Sequence, residues 1–354
     1  MELLDRHSLD ALLVTNGTNR RYLTGFTAED HAPDESSGVV LVTASSMTLF
    51  TSPTNEPWAR AEVNDGVEVV PATRPWTTGV AAECLARGYG KVGFEDGSTS
   101  VRDHAGLTRE LSPASELVPV GDGVDRLRAI KRPAELAAIQ SALRMTDLAF
   151  ERASARLTVA MTERELAEIV RAELRDAGSD GEAFPTIVAS GPNAARPHHV
   201  PADRAIGEGE PVIIDMGARA NGYCGDLTRT VWLGQPGAQL VTMYRLVADA
   251  HAAAVSVVRA GVAARAVDRA ARDVFDAAGM GAHVIHSVGH GLGLRVHESP
   301  SIGQASLDTL QPGNVITIEP GLYVAGWGGV RIEDVVLVRD DGATNLTGAA
   351  RHAP

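Results

Sequence analysis

The tightest constraint on the fold lies in residues 212–231, VIIDMGARANGYCGDLTRTV. Two runs rich in β-branched and apolar residues flank Asn221-Gly222, a pair suited to a two-residue hairpin because both central positions need positive φ. A turn centred there sets Asp215 opposite Thr228 and Asp226 opposite Gly217. Side chains alternate faces along a strand. Asp215 and Asp226 therefore share one face, a diagonal step apart, together with Thr228 and Cys224; a bulge would shift this register. Burying one unpaired charge costs several kcal/mol, and two neighbouring carboxylates also repel. A cation between them offsets both effects, and a divalent metal is the natural partner for carboxylate ligands.

A second acid pair follows the same logic. In NVITIEPGLYVAGWGGVRIEDVVLV, residues 314–338, Glu319 ends one β-rich run and Glu333 lies inside another, with Gly326, Gly328 and Gly329 supplying a turn. A loop centred near Gly326 sets Glu319 opposite Glu333 and turns Asp334 away, toward solvent or a salt bridge. HVIHSVGHGLGLRVHESP, residues 283–300, carries His283, His286, His290 and His297 among glycines that disfavour a long helix. The step from His286 to His290 is thus not a helical metal clamp. SGPNAARPHHVP, residues 190–201, sets His198 and His199 in a Pro-rich loop. One nitrogen ligand with four carboxylates suits hard divalent ions better than a zinc finger.

The remaining chain frames these motifs. At 354 residues it exceeds one typical core, which predicts two domains, 1–127 and 128–354. The first reads as an α/β layer: a strand near 11–15 followed by a polar turn, a hairpin through Ala44-Ser45-Ser46, a short helix and a strand after Asn64-Asp65-Gly66, then helix, Gly stop and strand. The polar stretch TAEDHAPDESS, residues 27–37, reads as a loop, with a lid or dimer contact as the alternative. Pro133 opens a helix to about residue 155, with Leu136, Ile139, Leu143, Leu148 and Phe150 as its apolar positions. Thr162 and Glu165 form a capping box for a second helix that stops at Gly178. A third helix ends at Gly279; matched to the second by these glycines, it aligns Val267 with Leu166 and Phe275 with Leu174, which suggests two similar halves. The net charge of −13 argues against nucleic acid or anionic lipid as a partner. No long apolar run predicts a membrane span, no signal peptide is expected, and two cysteines point to the cytoplasm.

The ordered set IIDMG, CGDLTRT, SVGHGLGLRVHE, TIEPGLY and GGVRIEDV resembles the metallopeptidase family of creatinase, methionine aminopeptidase, aminopeptidase P and prolidase. TNRRYLTGFT and IKRPAEL resemble the creatinase-type N-terminal domain, which favours the Xaa-Pro peptidase branch over methionine aminopeptidases. All five metal positions are present, which argues against creatinase itself. The resemblance implies an α/β creatinase-like N-terminal domain plus an α+β pita-bread catalytic domain with two pseudo-symmetric halves.

It also implies roles. Asp215 would hold one metal, Asp226 and Glu333 would bridge two, and His290 and Glu319 would hold the other. Glu319 would double as general base toward a water whose pKa two cations lower. His198 and His297 would steady the carbonyl oxygen or the intermediate and hold substrate. His286, Arg331 and Thr228 would line or brace the site, and Arg295 stands where the family commonly has an acid. The implied cofactors are two divalent ions, Mn²⁺ first, with Co²⁺ or Zn²⁺ as alternatives. The implied substrate is a proline-containing di- or oligopeptide, and the implied assembly is a homodimer. An Xaa-Pro bond lacks the amide hydrogen that strand-type peptide recognition uses, which a metal-activated water does not require. A prolidase needs a cation for the dipeptide carboxylate. Ser301 follows Pro300 where some relatives have Arg, leaving Arg295 and Arg196 as candidates. Xaa-Pro dipeptides are the favoured substrate, with aminopeptidase P activity on longer peptides as the alternative. A non-catalytic binding protein on the same fold is disfavoured by the retained ligands and by His198 and His297.

Overall fold

The computed structural model describes residues 2–30, 35–72 and 74–352. The chain divides into two compact units, Met1–Leu127 and Arg128–Pro354.

The first unit is built on six strands: β1 (Ala11–Val14), β2 (Val39–Thr43), β3 (Met47–Thr51), β4 (Val67–Pro71), β5 (Lys91–Phe94) and β6 (Glu116–Pro119), in the order β4-β3-β2-β1-β5-β6. The central strand reads Ala-Leu-Leu-Val without alternation because both faces are covered. Leu12 and Val14 pack with Val40, Leu49 and Phe26, whereas Ala11 and Leu13 pack with Val39, Phe50 and Val80. The helices are α1 (Glu2–His7), α2 (Gly17–Thr24), α3 (Glu56–Glu62), α4 (Trp76–Arg87), α5 (Val101–Leu111) and α6 (Gly123–Ala129), the last crossing the boundary between units. The hairpin at residues 44–46 and the Gly88 stop lie where the sequence puts them. Residues 17–24 depart from the expected polar turn. Asn16 accepts from the N–H groups of Thr18 and Asn19 and Gly25 closes the end at φ 83°, so both caps make a short polar helix. Within the 27–37 loop, residues 31–34 lie outside the described residues.

The second unit repeats one pattern, two helices followed by a three-strand ladder. The first half has α7 (Pro133–Ser154) and α8 (Glu163–Asp176), then β8 (Ile187–Ser190), β9 (Val212–Met216) and β12 (Leu227–Val231), ordered β12-β9-β8. A small sheet of β7 (Gly181–Glu182), β10 (Ala218–Ala220) and β11 (Tyr223–Cys224) extends its hairpin. The second half has α9 (Ala238–Val257) and α10 (Ala264–Ala277), then β13 (Gly289–Gly291), β15 (Val315–Ile318) and β18 (Asp334–Val338) in the matching order β18-β15-β13. β14 (Glu298–Ile302) and β19 (Ala343–Asn345) join its edges, and β16 (Gly321–Val324) pairs with β17 (Gly328–Arg331).

The capping box of Thr162 and Glu165 is formed, and Gly178 and Gly279 take positive φ just past their helices. Leu166, Leu174, Val267 and Phe275 are all buried, as the alignment of α8 with α10 requires. On α7, Ile139, Leu143 and Phe150 are buried, but Leu148 is 38% exposed, because it lies off their stripe. The sequence assigned no element to α9, yet its buried residues Leu240, Met243, Tyr244, Val247, His251 and Ala254 follow helical spacing.

Candidate active site

The Asn221-Gly222 turn forms with φ 50° and 80°, the signs a mirror-image hairpin turn demands. Its register is the expected one: Thr228 faces Asp215, and Arg219 faces Cys224. Around Gly326, Gly321 faces Arg331 in one ladder and Ile318 faces Asp334 in the next, so Glu319 and Glu333 stand opposite each other at the junction. Two hairpins thus deliver four acids, and β13 delivers His290 between two glycines.

These side chains converge. One ligand atom from each of Asp226, His290 and Glu333 lies within 4.8 Å of the others. His290 Nε2 is 3.2 Å from Glu319 Oε1 and 3.8 Å from Asp226 Oδ2. Asp215 Oδ2 accepts from Arg331 Nη2 at 2.6 Å, and Glu333 Oε2 accepts from Thr228 Oγ1 at 2.8 Å. The other oxygens, Asp215 Oδ1 and Glu333 Oε1, are buried without a hydrogen-bond partner among the described residues.

The electrostatics are those of carboxylates crowded together out of water. Burial, then the neighbouring Glu333, Asp215 and Glu319, hold the Asp226 carboxyl well above its usual range. Burial and the charges of Glu319 and Asp215 push Glu333 to about 8. Burial also raises Glu319, but the hydrogen bond and charge of His290 outweigh it and bring that group to about 2. His290 moves the other way, to about 9, because Glu319 and Glu333 overcome the penalty of burial. Orphaned buried oxygens, repelling carboxylates and one imidazole are the donor set for hard divalent cations.

A brace surrounds this cluster. Arg331 Nε donates to Thr228 Oγ1 at 3.1 Å, and Nη1 donates to the Tyr323 hydroxyl at 2.8 Å. The Ser287 carbonyl, 2.7 Å from His286 Nδ1, can only accept, so Nδ1 carries the proton of the neutral ring that burial favours. His286 Nε2 is then the acceptor, and the Tyr323 O–H donates to it at 2.8 Å. Arg331, Thr228 and His286 are therefore linked by bonds no local spacing encodes, and Tyr323, which links two of them, carries no sequence signal of its own. Asp334 turns away as expected, into ion pairs with Arg229 and Arg351 at 2.7 and 2.5 Å.

The cluster opens into a cavity of about 570 Å³, lined also by His198, His297, Phe184, Ile187, Val200 and Val296. The His297 ring lies 4.3 Å from that of His290, nearly perpendicular. Arg295 and Arg196 are exposed and do not line this cavity; Arg171 does, its guanidinium 2.5 Å from Glu168 and 3.4 Å from Glu182. Arg171 lies on a helix whose polar face looks like any solvated one, so sequence did not single it out. Cys224 also departs from expectation. It is fully buried among Ile139, Leu143 and Leu292, behind Asp226 rather than in the cavity, so its thiol is shielded from soft ions. Both cysteines are free. No helix among the described residues is long and apolar enough to cross a membrane.

Comparison with known proteins agrees with this construction. The family model of metallopeptidase family M24 matches residues 137–340, and that of the creatinase/prolidase N-terminal domain matches residues 1–130. A Xaa-Pro dipeptidase of Pyrococcus horikoshii is 33% identical over 99% of this chain and 96% of its own length. The structure of a Xaa-Pro dipeptidase from Bacillus anthracis superposes with a TM-score of 0.93 at 32% identity, covering 99% of this chain and 96% of that one. An X-Pro aminopeptidase from Thermotoga maritima superposes with a TM-score of 0.90 at 28% identity, covering 99% and 97%. The chain belongs to metallopeptidase family M24, a peptidase with a creatinase-type N-terminal domain and a pita-bread catalytic domain.

Proposed function

We propose that the protein hydrolyses Xaa-Pro peptide bonds, preferring Xaa-Pro dipeptides, at a centre of two divalent metal ions. One observation carries the reading: four acids and a histidine from two hairpins and one strand meet at a cavity floor where two buried carboxylate oxygens have no partner. Asp215, Asp226, His290, Glu319 and Glu333 would hold the ions, with Asp226 and Glu333 shared between them. The ions would supply a water acidic enough to attack at neutral pH and would polarise the scissile carbonyl.

The chain's own groups do the rest. Glu319, whose Oε1 lies 3.2 Å from His290 Nε2 on the cavity wall, would take the proton of the attacking water. Burial and the neighbouring His290 keep His297 below its usual pKa, so a neutral ring meets the substrate carbonyl region, and His198 lines the same cavity. Arg331 fixes Asp215 and, through Thr228, one oxygen of Glu333; His286 reaches the same brace through Tyr323. Apolar walls at Phe184, Ile187 and Val296 suit a prolyl ring. Arg171 is the better placed cation for a dipeptide carboxylate than Arg295 or Arg196, because it alone of the three lines the cavity.

The likeness to dipeptidases from two organisms supports the dipeptide preference, and the likeness to an X-Pro aminopeptidase keeps longer peptides as the alternative. Mn²⁺ as the native ion, a homodimer and a cytoplasmic location complete the proposal, on family membership and the oxygen-rich donor set. The test compares Ala-Pro with Ala-Pro-Ala in Mn²⁺, Co²⁺ and Zn²⁺. Faster turnover of Ala-Pro supports the dipeptidase, and equal or faster turnover of the tripeptide rejects that preference. No metal-dependent cleavage of either rejects the peptidase reading and leaves a binding protein.

A further inference from the structure

We propose that Glu163, outside the ligand set, is the positioning residue that fixes the cavity wall bearing His198. Glu163 is the first residue of α8 and is fully buried. Its Oε1 accepts from Ser190 N and Oγ, both at 2.8 Å, and from Asn193 Nδ2 at 3.0 Å. Its Oε2 accepts from His199 Nε2 at 2.8 Å and from Ala202 N at 3.0 Å. One carboxylate thus collects five donors spread over residues 190–202. A carboxylate that accepts from this many groups is ionised, and a helix N-terminus favours the charge. Burial alone would raise its pKa, but the donors from Asn193, Ser190 and His199 hold it below the usual value. Arg204 completes the arrangement by donating to Ser190 Oγ at 2.7 Å while paired with Glu210 at 2.6 Å.

The same segment is clamped from the other side. Gly328 and Gly329 on β17 approach so closely that a Cβ at either would strike the carbonyl oxygens of Gly191 and Ala194. The strand that bears Arg331 is therefore seated directly on residues 191–195, and Arg331 Nη2 reaches the Pro197 carbonyl at 3.5 Å. His198 itself makes no hydrogen bond among the described residues. It sits between Pro197, tied to Arg331, and His199, tied to Glu163. Its place over the cavity is set by its flanks, and Glu163 holds the longer one. A displacement of about 1 Å at a reacting group can cost roughly 100-fold in rate, so this anchor matters even though it touches no substrate.

The proposal rests on the peptidase reading for its kinetic arm only. Glu163→Gln keeps the shape but turns its amide NH2 toward the backbone N–H of either Ser190 or Ala202, which can only donate. The expected result is a fall of about 30- to 100-fold in kcat/KM for Ala-Pro, with Mn²⁺ affinity within about threefold of wild type by calorimetry. In a His198→Ala background the same change costs less than about threefold, because the residue it positions is gone. Hydrogen exchange at Ser190 and Ala202 accelerates at least about tenfold while residues 212–231 are unchanged; this arm needs no substrate and stands if the peptidase reading fails. His199→Ala, which removes a single anchor, gives a smaller loss with the same non-additivity and serves if Glu163→Gln does not fold. Full multiplication of the Glu163 and His198 effects, or unchanged exchange at residues 190–202, overturns the proposal.

Discussion

The two halves of the catalytic unit share one scaffold and divide the chemistry unequally. Each runs helix, helix, strand, strand, strand, and their ladders have matching orders, β12-β9-β8 and β18-β15-β13. The first half contributes Asp215 and Asp226 from one hairpin; its edge strand β8 is Ile-Val-Ala-Ser. The second contributes Glu319 and Glu333 from its hairpin and adds His290 from β13, where the corresponding strand is Gly-His-Gly and is covered by β14. The difference is local: the repeated frame aims acids at the centre, and the change in one strand sets the His290 imidazole 3.2 Å from Glu319. On the proposed reading, repetition supplies the acids and departure from repetition supplies the nitrogen ligand.

The sharpest way to break that comparison is to remove one acid from each half. Asp226→Ala and Glu333→Ala should each abolish Xaa-Pro hydrolysis, by roughly 1000-fold or more, measured under saturating Mn²⁺. Substantial activity in either would mean one half suffices. The histidines offer a smaller effect. His198→Ala and His297→Ala should each lower kcat by about 100-fold while metal content by elemental analysis stays at the wild-type value.

The pH response separates the metal-free scaffold from the loaded one. With Glu333 raised to about 8, ionising it grows costlier in the fold as pH climbs above the ordinary carboxylate value. His290, raised to about 9, contributes stability that is complete below its ordinary value of 6.5 and lost as pH rises through 9. Glu333 lowers the stability of the metal-free protein between pH 4.5 and 8 and His290 between 6.5 and 9, so both act from 6.5 to 8. Divalent cations select ionised Glu333 and neutral His290, so the Tm gained on adding Mn²⁺ should grow with pH over that window. A gain that shrinks with pH would show that these groups do not bind the ion. Equivalent core positions give the finest comparison. Leu174→Ala on α8 and Phe275→Ala on α10 should each cost about 3 kcal/mol in urea unfolding, because both side chains are buried in matching helix-to-sheet cores. A near-zero cost in one half would break the equivalence of the helices.

Much of this was legible in the sequence wherever a turn set a register. Asn221-Gly222 and Gly326 sufficed to pair Asp215 with Thr228 and Glu319 with Glu333, because strand alternation carries the information from turn to side chain. Elements without such punctuation were missed. Helix α2 is short and polar, so only its caps betray it. Helix α9 has a regular buried stripe, but alanines around the whole circumference blur its polar face. The supports were beyond reach for another reason: Glu163 meets residues 27 to 39 positions away, and Arg331 meets Asp215 across 116. Cys224 illustrates the limit of face arithmetic. It has the predicted register, yet the step from the β9–β12 ladder into the β10–β11 pair turns it into an apolar cluster rather than the cavity.

The most direct measurement of the central claim is the number of Mn²⁺ ions bound per chain by the wild type and by Asp226→Ala. Two ions in the wild type, and a loss of tight binding in the variant, are the predicted results. One ion or none in a wild-type protein that still cleaves Ala-Pro would contradict a centre assembled jointly by the two halves.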